Sequence, residues 1–331
     1  MKKKTKNNKK SYKAIKIIIS VFMIYLLLMA VIFTIGTIYL NKINRFDDIV
    51  PVPPEEEFFD VDEDATGDDV DPEEIIWDPG MDVQDEDLLN ILLVGQDRRE
   101  GEGRQRSDSM ILCSFNAETN ELAMVSFLRD LYVQIPGYSD NRLNAAYVFG
   151  GFPLLKETLY LNFGVTVDGC VEVDFSGFKN IIDTVGGVDI KLTEEEAKYV
   201  GGGATEGMNH LDGEHALTYA RIRYIDSDFN RTARQRNVIN AVINKVRNRS
   251  VSEILSLVDA VLPMITTDMS NAEITKYALQ YAPALKGLQV STHHVPGDGR
   301  FRYAKVRGMS VLIPDLAGIR KDLREEYLPL E

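Results

Sequence analysis

The stretch LLNILLVGQD, residues 88–97, is an almost continuous apolar run that ends at Gly95 and delivers a carboxylate, Asp97, just beyond it. Such a run reads as a buried strand. Working downstream, MILCSFN (110–116) and ELAMVSF (121–127) flank the turn AETN, which predicts a hairpin. GFPLLKETLYLNFG (151–164) reads as a helix with Pro153 near its start and Gly164 at its end. CVEVDF (170–175) alternates like a strand. SGFKNIIDTVGG (176–187) follows as a helix with Ser176 as N-cap and Phe178, Ile181, Ile182 and Val185 on one face. VDI is a short strand, and LDGEHALTYARIR (211–223) and RTARQRNVINAVINKVRNR (231–249) have helical patterns. Beyond residue 250 come two more helices, a strand around LQVSTHHV and a closing helix near PDLAGIRKDL. Strands alternating with helices predict an α/β fold, a central mixed sheet with helices on both faces.

Working upstream, residues 41–87 are rich in Asp, Glu and Pro without a sustained apolar period, and read as a disordered acidic linker. Before it, Ile17 to Leu40 carries no charge. At about 1.5 Å per residue it is long enough to cross a bilayer as one transmembrane signal anchor. Eight lysines precede this run and only Lys42 and Arg45 follow it before the chain turns acidic. The positive-inside rule then places residues 1–16 in the cytoplasm, and a domain spanning 88–331 outside the cell.

The 331 residues carry a net charge of −14, which argues against nucleic acid as a partner. Cys113 and Cys170 match neither a metal cluster nor a disulfide scaffold, and both read as buried thiols, with a single bridge between them left open. His210, His215, His293 and His294 have no ligand-like or triad-like spacing and read as non-catalytic.

Against this acidic background, RIRYIDSDFNRTARQ (221–235) holds Arg221, Arg223, Arg231 and Arg234. Arginine forks suit carboxylates and phosphates. Two readings compete: ion pairs with Asp226 and Asp228, or a shared anion held at a helix N-terminus, where Arg231, Arg234 and Gln235 share one face. Other polar groups fall at strand ends and helix starts, where α/β folds build sites. They are Asp97, Arg106-Ser107-Asp108-Ser109, Arg129-Asp130 and Arg142-Leu143-Asn144. Asp97 and Asp108 would either pair with the arginines or hold Mg²⁺ beside a polyphosphate.

Six blocks in order, GQD (95–97), RSDS (106–109), FLRD (127–130), RLNAAYVFGG (142–151), LDGEHALTYARIR (211–223) and DFNRTARQ (228–235), resemble the signature of the LytR-CpsA-Psr family. The resemblance is strongest from about Asn90 to Lys245. It implies an extracytoplasmic phosphotransferase that moves a glycopolymer from a polyprenyl-pyrophosphate carrier to N-acetylmuramic acid of peptidoglycan. By the same resemblance Asp97 and Asp108 match Mg²⁺ ligands, with Mn²⁺ an alternative. Arg106, Arg129, Arg221, Arg223, Arg231 and Gln235 match residues around the pyrophosphate. Arg129, Arg221 and Arg223 would act in catalysis, and Asp130 is a candidate base with Asp97. The polyprenyl tail would lie between helices near 154–161, 178–185 and 238–246. Two other readings keep the fold: a polyprenyl-pyrophosphate phosphatase, and a non-enzymatic regulator that binds lipid or wall polymer. The family's usual proline before Arg-Asp is Leu128 here, and the last residue of its usual RSDT is Ser109.

Overall fold

The computed structural model describes residues 41–45, 52–53, 57–78, 88–96, 105–223, 225–247, 249–281 and 287–330. The expected anchor at 17–40 and Asp97 lie outside the described residues, among which no helix is long and apolar enough to cross a membrane. Asn44–Glu331 cluster as one unit.

In chain order the elements are β1 (Asn44–Arg45), β2 (Asp68–Asp69), β3 (Leu88–Gln96), β4 (Ser107–Asn116), β5 (Glu121–Phe127), β6 (Tyr132–Val133) and β7 (Asn141–Arg142). Then follow α1 (Leu143–Phe163), β8 (Gly169–Asp174), α2 (Phe175–Thr184), β9 (Val188–Leu192), α3 (Glu194–Val200), β10 (Gly207–Leu211), α4 (Gly213–Ala220) and α5 (Asp228–Val246). The chain closes with α6 (Val251–Val261), β11 (Thr266–Thr267), α7 (Asn271–Tyr281), β12 (Gln289–Val295), β13 (Phe301–Val306), β14 (Met309–Pro314) and α8 (Leu316–Asp322).

The main sheet has seven strands in the order β1-β11-β8-β3-β4-β5-β12. β3 runs antiparallel to β4 and parallel to β8, and β12 adds parallel to β5, so the sheet is mixed as the sequence predicts. The hairpin around AETN pairs Asn116 with Glu121.

Side chains alternate across a strand, and β3 alternates buried with half-buried residues along its length. Leu88, Leu92 and Val94 join Met110, Leu112, Val125 and Phe127 against α1 and α8 in the principal core. Leu155, Leu159 and Phe163 on α1 are fully buried there. Each such side chain contributes about 1.5–3 kcal/mol. The opposite face of the sheet looks toward α2, α4 and α5.

Local signals account for the helix ends. α1 contains a break at Gly151, with Pro153 opening the second segment and Gly164 closing it in the left-handed region at φ 71°. The N-cap of α2 is Asp174, whose side chain accepts from Gly177 N at 2.7 Å, two residues before the expected Ser176. Ser227 caps α5 by accepting from Asn230 N.

The acidic segment departs from the disorder that its composition predicts. β2 pairs with β13, extending the β13–β14 hairpin to three strands. Phe59, Val70, Ile75 and Trp77 pack against a core of Tyr132, Ala304, Val306, Met309, Val311 and Ile313. The Trp77 ring stacks on Tyr132 at 6.2 Å and donates from Nε1 to Asp140 at 2.8 Å. These aromatics bury enough apolar surface to fix residues 57–78 despite their charge. The cysteines are free thiols. They lie on β4 and β8, on opposite sides of β3, too far apart to bridge.

Candidate active site

The sheet face opposite α1 is not ordinary core. Leu93, Ile111, Val171 and Val173 form one wall of an apolar cavity of about 240 Å³. Phe175, Phe178, Ile181 and Ile182 of α2, Leu217 and Ala220 of α4, and Val238, Ile239 and Val242 of α5 complete it. Two of the three regions expected around a lipid tail therefore line this cavity. Residues 154–161 do not, because Leu154, Leu155 and Leu159 pack into the principal core on the other face.

At its polar end the apolar cavity meets a second, polar one of about 580 Å³, lined by Arg129, Tyr199, Glu214 and Thr218. Asp108, Leu217, Arg221 and Arg223 line both. Tyr199, Glu214 and Thr218 were not singled out from the sequence, since nothing in α3 or α4 distinguishes them from a solvated face.

Asp108, two residues into β4, accepts on Oδ1 from Arg129 Nη1 at 2.8 Å and from Arg223 Nη2 at 3.4 Å. Burial works to lower the Arg129 guanidinium, but the carboxylates of Asp130, Asp228 and Asp108 outweigh it and raise its pKa. Arg221, at the C-terminal end of α4, lies over the Phe175 ring at 4.3 Å. Ser109 donates from Oγ to Gln235 Oε1 at 2.9 Å, joining β4 to α5.

The arginines of 221–235 divide into two kinds. Arg234 is fully committed to the fold: Nε donates to Glu196 Oε1 at 2.7 Å, and the two terminal nitrogens go to Asp226. Arg231 is 2% exposed and pairs with Asp228, with Nη2 donating to Oδ2 at 2.9 Å. Its Nε and Nη1 are buried without a hydrogen-bond partner among the described residues. Burial lowers this guanidinium to about 10. Leaving two donors of a buried cation unpaired costs stability, and an arriving anion removes that cost. The ion-pair reading therefore holds for Arg234, and only one side of Arg231 is so occupied.

Arg106 and Asp130 lie off the walls of both cavities. Asp130 stands between two arginines, 3.5 Å from Arg129 Nε and 3.6 Å from Arg142 Nε. Arg106 lies 5.1 Å above the Phe58 ring and 3.5 Å from Asp60, with a pKa lowered by burial and by neighbouring Arg142 and Arg129. The histidines stay outside the site: Nδ1 of His210 and of His215 engage Asp189 and Asp212, His293 stacks on Tyr327, and His294 meets Phe229 edge-on.

Among the described residues no three acidic, histidine or cysteine side chains converge as a metal cage. Asp108 offers a hard oxygen donor on the shared wall. A divalent ion there would need a ligand's own oxygens to complete its shell, the arrangement Mg²⁺ favours.

The LytR_cpsA_psr family model matches residues 60–323. This chain belongs to the LytR-CpsA-Psr family. It is 32% identical over 255 residues to the polyisoprenyl-teichoic acid–peptidoglycan teichoic acid transferase TagU of Enterococcus faecalis, covering 74% of this chain and 82% of that protein. It is 30% identical over 203 residues to the regulatory protein MsrR of Staphylococcus aureus, covering 60% of this chain and only 62% of MsrR. Its fold is similar to that of Bacillus subtilis TagV, with a TM-score of 0.60 at 30% identity over 74% of this chain and all of that one. It is also similar to TagT bound to LI-WTA, with a TM-score of 0.59 at 25% identity over 73% of this chain and 91% of that one.

Within this LytR-CpsA-Psr frame one of the two departures has a local explanation and the other is chemically conservative. Leu128 is buried and its N–H donates to Val295 O at 2.8 Å, a bond from the residue after β5 to the last residue of β12 that proline could not make. Ser109 keeps the hydroxyl that threonine would offer and uses it in the contact to Gln235.

Proposed function

We propose that this protein transfers a glycopolymer, as its sugar-1-phosphate, from a polyprenyl-pyrophosphate carrier to N-acetylmuramic acid of peptidoglycan. The observation that carries the reading is the shared wall, where Asp108, Arg221 and Arg223 line an apolar cavity on one side and a polar one on the other. That layout suits a molecule whose apolar tail joins a polar headgroup through a polyanion. The relatives point the same way, in TagU's name and in TagT's complex with LI-WTA.

In this reading the tail occupies the α2–α5 cavity. The pyrophosphate lies among Arg129, Arg221, Arg223 and the two unpaired nitrogens of Arg231, with Gln235 beside them. An acceptor hydroxyl attacks the sugar-proximal phosphorus, the bridging P–O bond breaks, and polyprenyl phosphate leaves. The reaction asks mainly for positioning and for neutralising charge on the phosphoryl oxygens, both of which arginines supply. Mg²⁺ or Mn²⁺ held by Asp108, with Asp97, would add further neutralisation when bound. Asp130, held between Arg129 and Arg142, orients Arg129 in this scheme, and the acceptor proton passes to solvent or to the departing polyprenyl phosphate.

The lysine asymmetry around Ile17–Leu40 supports an anchor with a cytoplasmic N-terminus and a domain facing the cell wall, where peptidoglycan is found. The test is to incubate the protein with a lipid-pyrophosphate sugar, with and without peptidoglycan. Acceptor-dependent consumption supports transfer, acceptor-independent release of phosphate indicates a phosphatase, and no turnover indicates a binding role.

A further inference from the structure

Residues 57–62 run beside the arginines behind the site as a docked acidic strap. Glu57 accepts from Ser139 N at 2.9 Å and Oγ at 2.6 Å, Phe58 meets Phe149 edge-on at 5.3 Å, and Asp62 N donates to Gly308 O at 3.0 Å. The Asp62 carboxylate accepts from Arg142 Nη2 and, at 2.7 Å, from Ser310 N. Arg142 is 5% exposed and also donates from Nε and Nη2 to Ser310 O at 3.1 and 2.7 Å. Beyond it the charges continue to alternate. Asp130 lies 3.6 Å from Arg142 Nε and 3.5 Å from Arg129 Nε, and Arg129 bonds to Asp108.

We propose that Asp62 is a positioning residue for the transfer site, acting through Arg142 and Asp130 on Arg129. Arg142 is nearly buried and shared among three carboxylates: Asp62, Asp130 and the more exposed Asp60, 3.7 Å from Nη1. Removing the charge of Asp62 leaves Asp130 and Asp60 as its counter-ions; Asp130 is the less solvated of the two and is the one drawn toward Arg142. Arg129 Nε has no hydrogen-bond partner among the described residues and faces Asp130 across 3.5 Å, so it loses its lateral restraint. The arginine that lines the polar cavity is then held from the Asp108 side alone and gains freedom to reorient. The acidic segment between the apolar run and the fold thereby becomes part of the active site, and its identity at residue 62 matters for rate.

The inference rests on the transfer reaction for its kinetic consequence, so the experiment reads the relay in two independent ways. The full chain is prepared as wild type, Asp62→Asn, Asp62→Glu, Asp130→Asn and the Asp62→Asn/Asp130→Asn double variant. Asparagine retains the acceptor for Ser310 N, and the strap keeps its Glu57 and Phe58 contacts, so folding should survive; thermal melts confirm it. Phenylglyoxal modification of Arg129, followed by peptide mass spectrometry, needs no turnover. It should speed up severalfold in Asp62→Asn and in Asp130→Asn, with no further gain in the double variant. In transfer assays Asp62→Asn should lower kcat about fivefold to tenfold with KM for the lipid donor nearly unchanged, and should cost nothing more in the Asp130→Asn background. Asp62→Glu should restore part of the loss. Unchanged labelling of Arg129 in Asp62→Asn, or equal losses in both backgrounds, would overturn the relay. An inactive wild type would instead defeat the transfer reaction while labelling still decided the relay.

Discussion

Arg129 donates from Nη1 to Asp108 Oδ1 at 2.8 Å, across the wall that separates the polar cavity from the apolar one. In the resting protein a carboxylate therefore occupies the guanidinium that the proposed reaction assigns to phosphate. A pyrophosphate arriving alone must compete with Asp108, whereas a divalent cation held by that carboxylate would neutralise it and relieve the competition. Asp108→Ala should accordingly lose most metal-dependent turnover yet bind inorganic pyrophosphate more tightly than wild type in the presence of a chelator. Isothermal titration with and without Mg²⁺ checks this. Weaker binding in the chelator would mean that Asp108 serves only to hold the arginines in place.

Arg223 and Arg231 should not tolerate lysine. Each offers charge-assisted, often bidentate bonds that a point charge cannot reproduce. Losing one should cost about 2–4 kcal/mol of transition-state stabilisation, by analogy with removing a single oxyanion donor. A surface ion pair would be worth only about 0–1 kcal/mol. Turnover of Arg223→Lys and Arg231→Lys, with circular dichroism as a folding control, separates the two.

Arg234, one turn along from Arg231, should behave in the opposite way. Its partner Glu196 is buried while Asp226 is exposed, so Arg234→Met strands one buried carboxylate as well as opening the Asp226 pair. Breaking such a network costs about 3–5 kcal/mol. Urea denaturation should show that loss, while pyrophosphate affinity of the remaining folded fraction stays near wild type.

How much of this was legible beforehand can be judged residue by residue. The strands around LLNILLVGQD and the hairpin at AETN follow from apolar runs and turn chemistry, which are local properties. The arginine cluster was visible as a concentration of forks in an acidic chain. Its division into Arg231 and Arg234 was not, because both face carboxylates three to eight residues away and only burial tells an orphaned nitrogen from a paired one. The cavity face of β3 was hidden for a similar reason: Leu93 and Leu92 look alike in sequence, and one lines a void while the other is core. The strap at 57–62 was misread as disorder because charge dominated its composition. Phe58, Phe59, Ile75 and Trp77 were the available signal, and their partners, Phe149, Tyr132 and the β13–β14 hairpin, lie far along the chain.

The apolar cavity should select for the length of the carrier. Val242 lines it from α5, and Val242→Trp would fill much of its 240 Å³. Affinity for a long-chain lipid-pyrophosphate sugar should fall about tenfold, in line with the loss of a few buried methylene contacts. Affinity for inorganic pyrophosphate should not change. Equal losses for both ligands would mean that the substitution disturbs the arginines and that the cavity holds no tail.

The most direct measurement follows the sugar-proximal phosphorus itself. A lipid-pyrophosphate sugar carrying ³²P at that position is incubated with the full chain, Mg²⁺ and peptidoglycan, and the products are separated after muramidase digestion. The transfer reaction predicts label in a phosphodiester on a muramic-acid fragment, with unlabelled polyprenyl phosphate formed in equal amount, and loss of both in Arg223→Lys. Label appearing as soluble sugar phosphate or orthophosphate, at the same rate whether or not peptidoglycan is present, would contradict it.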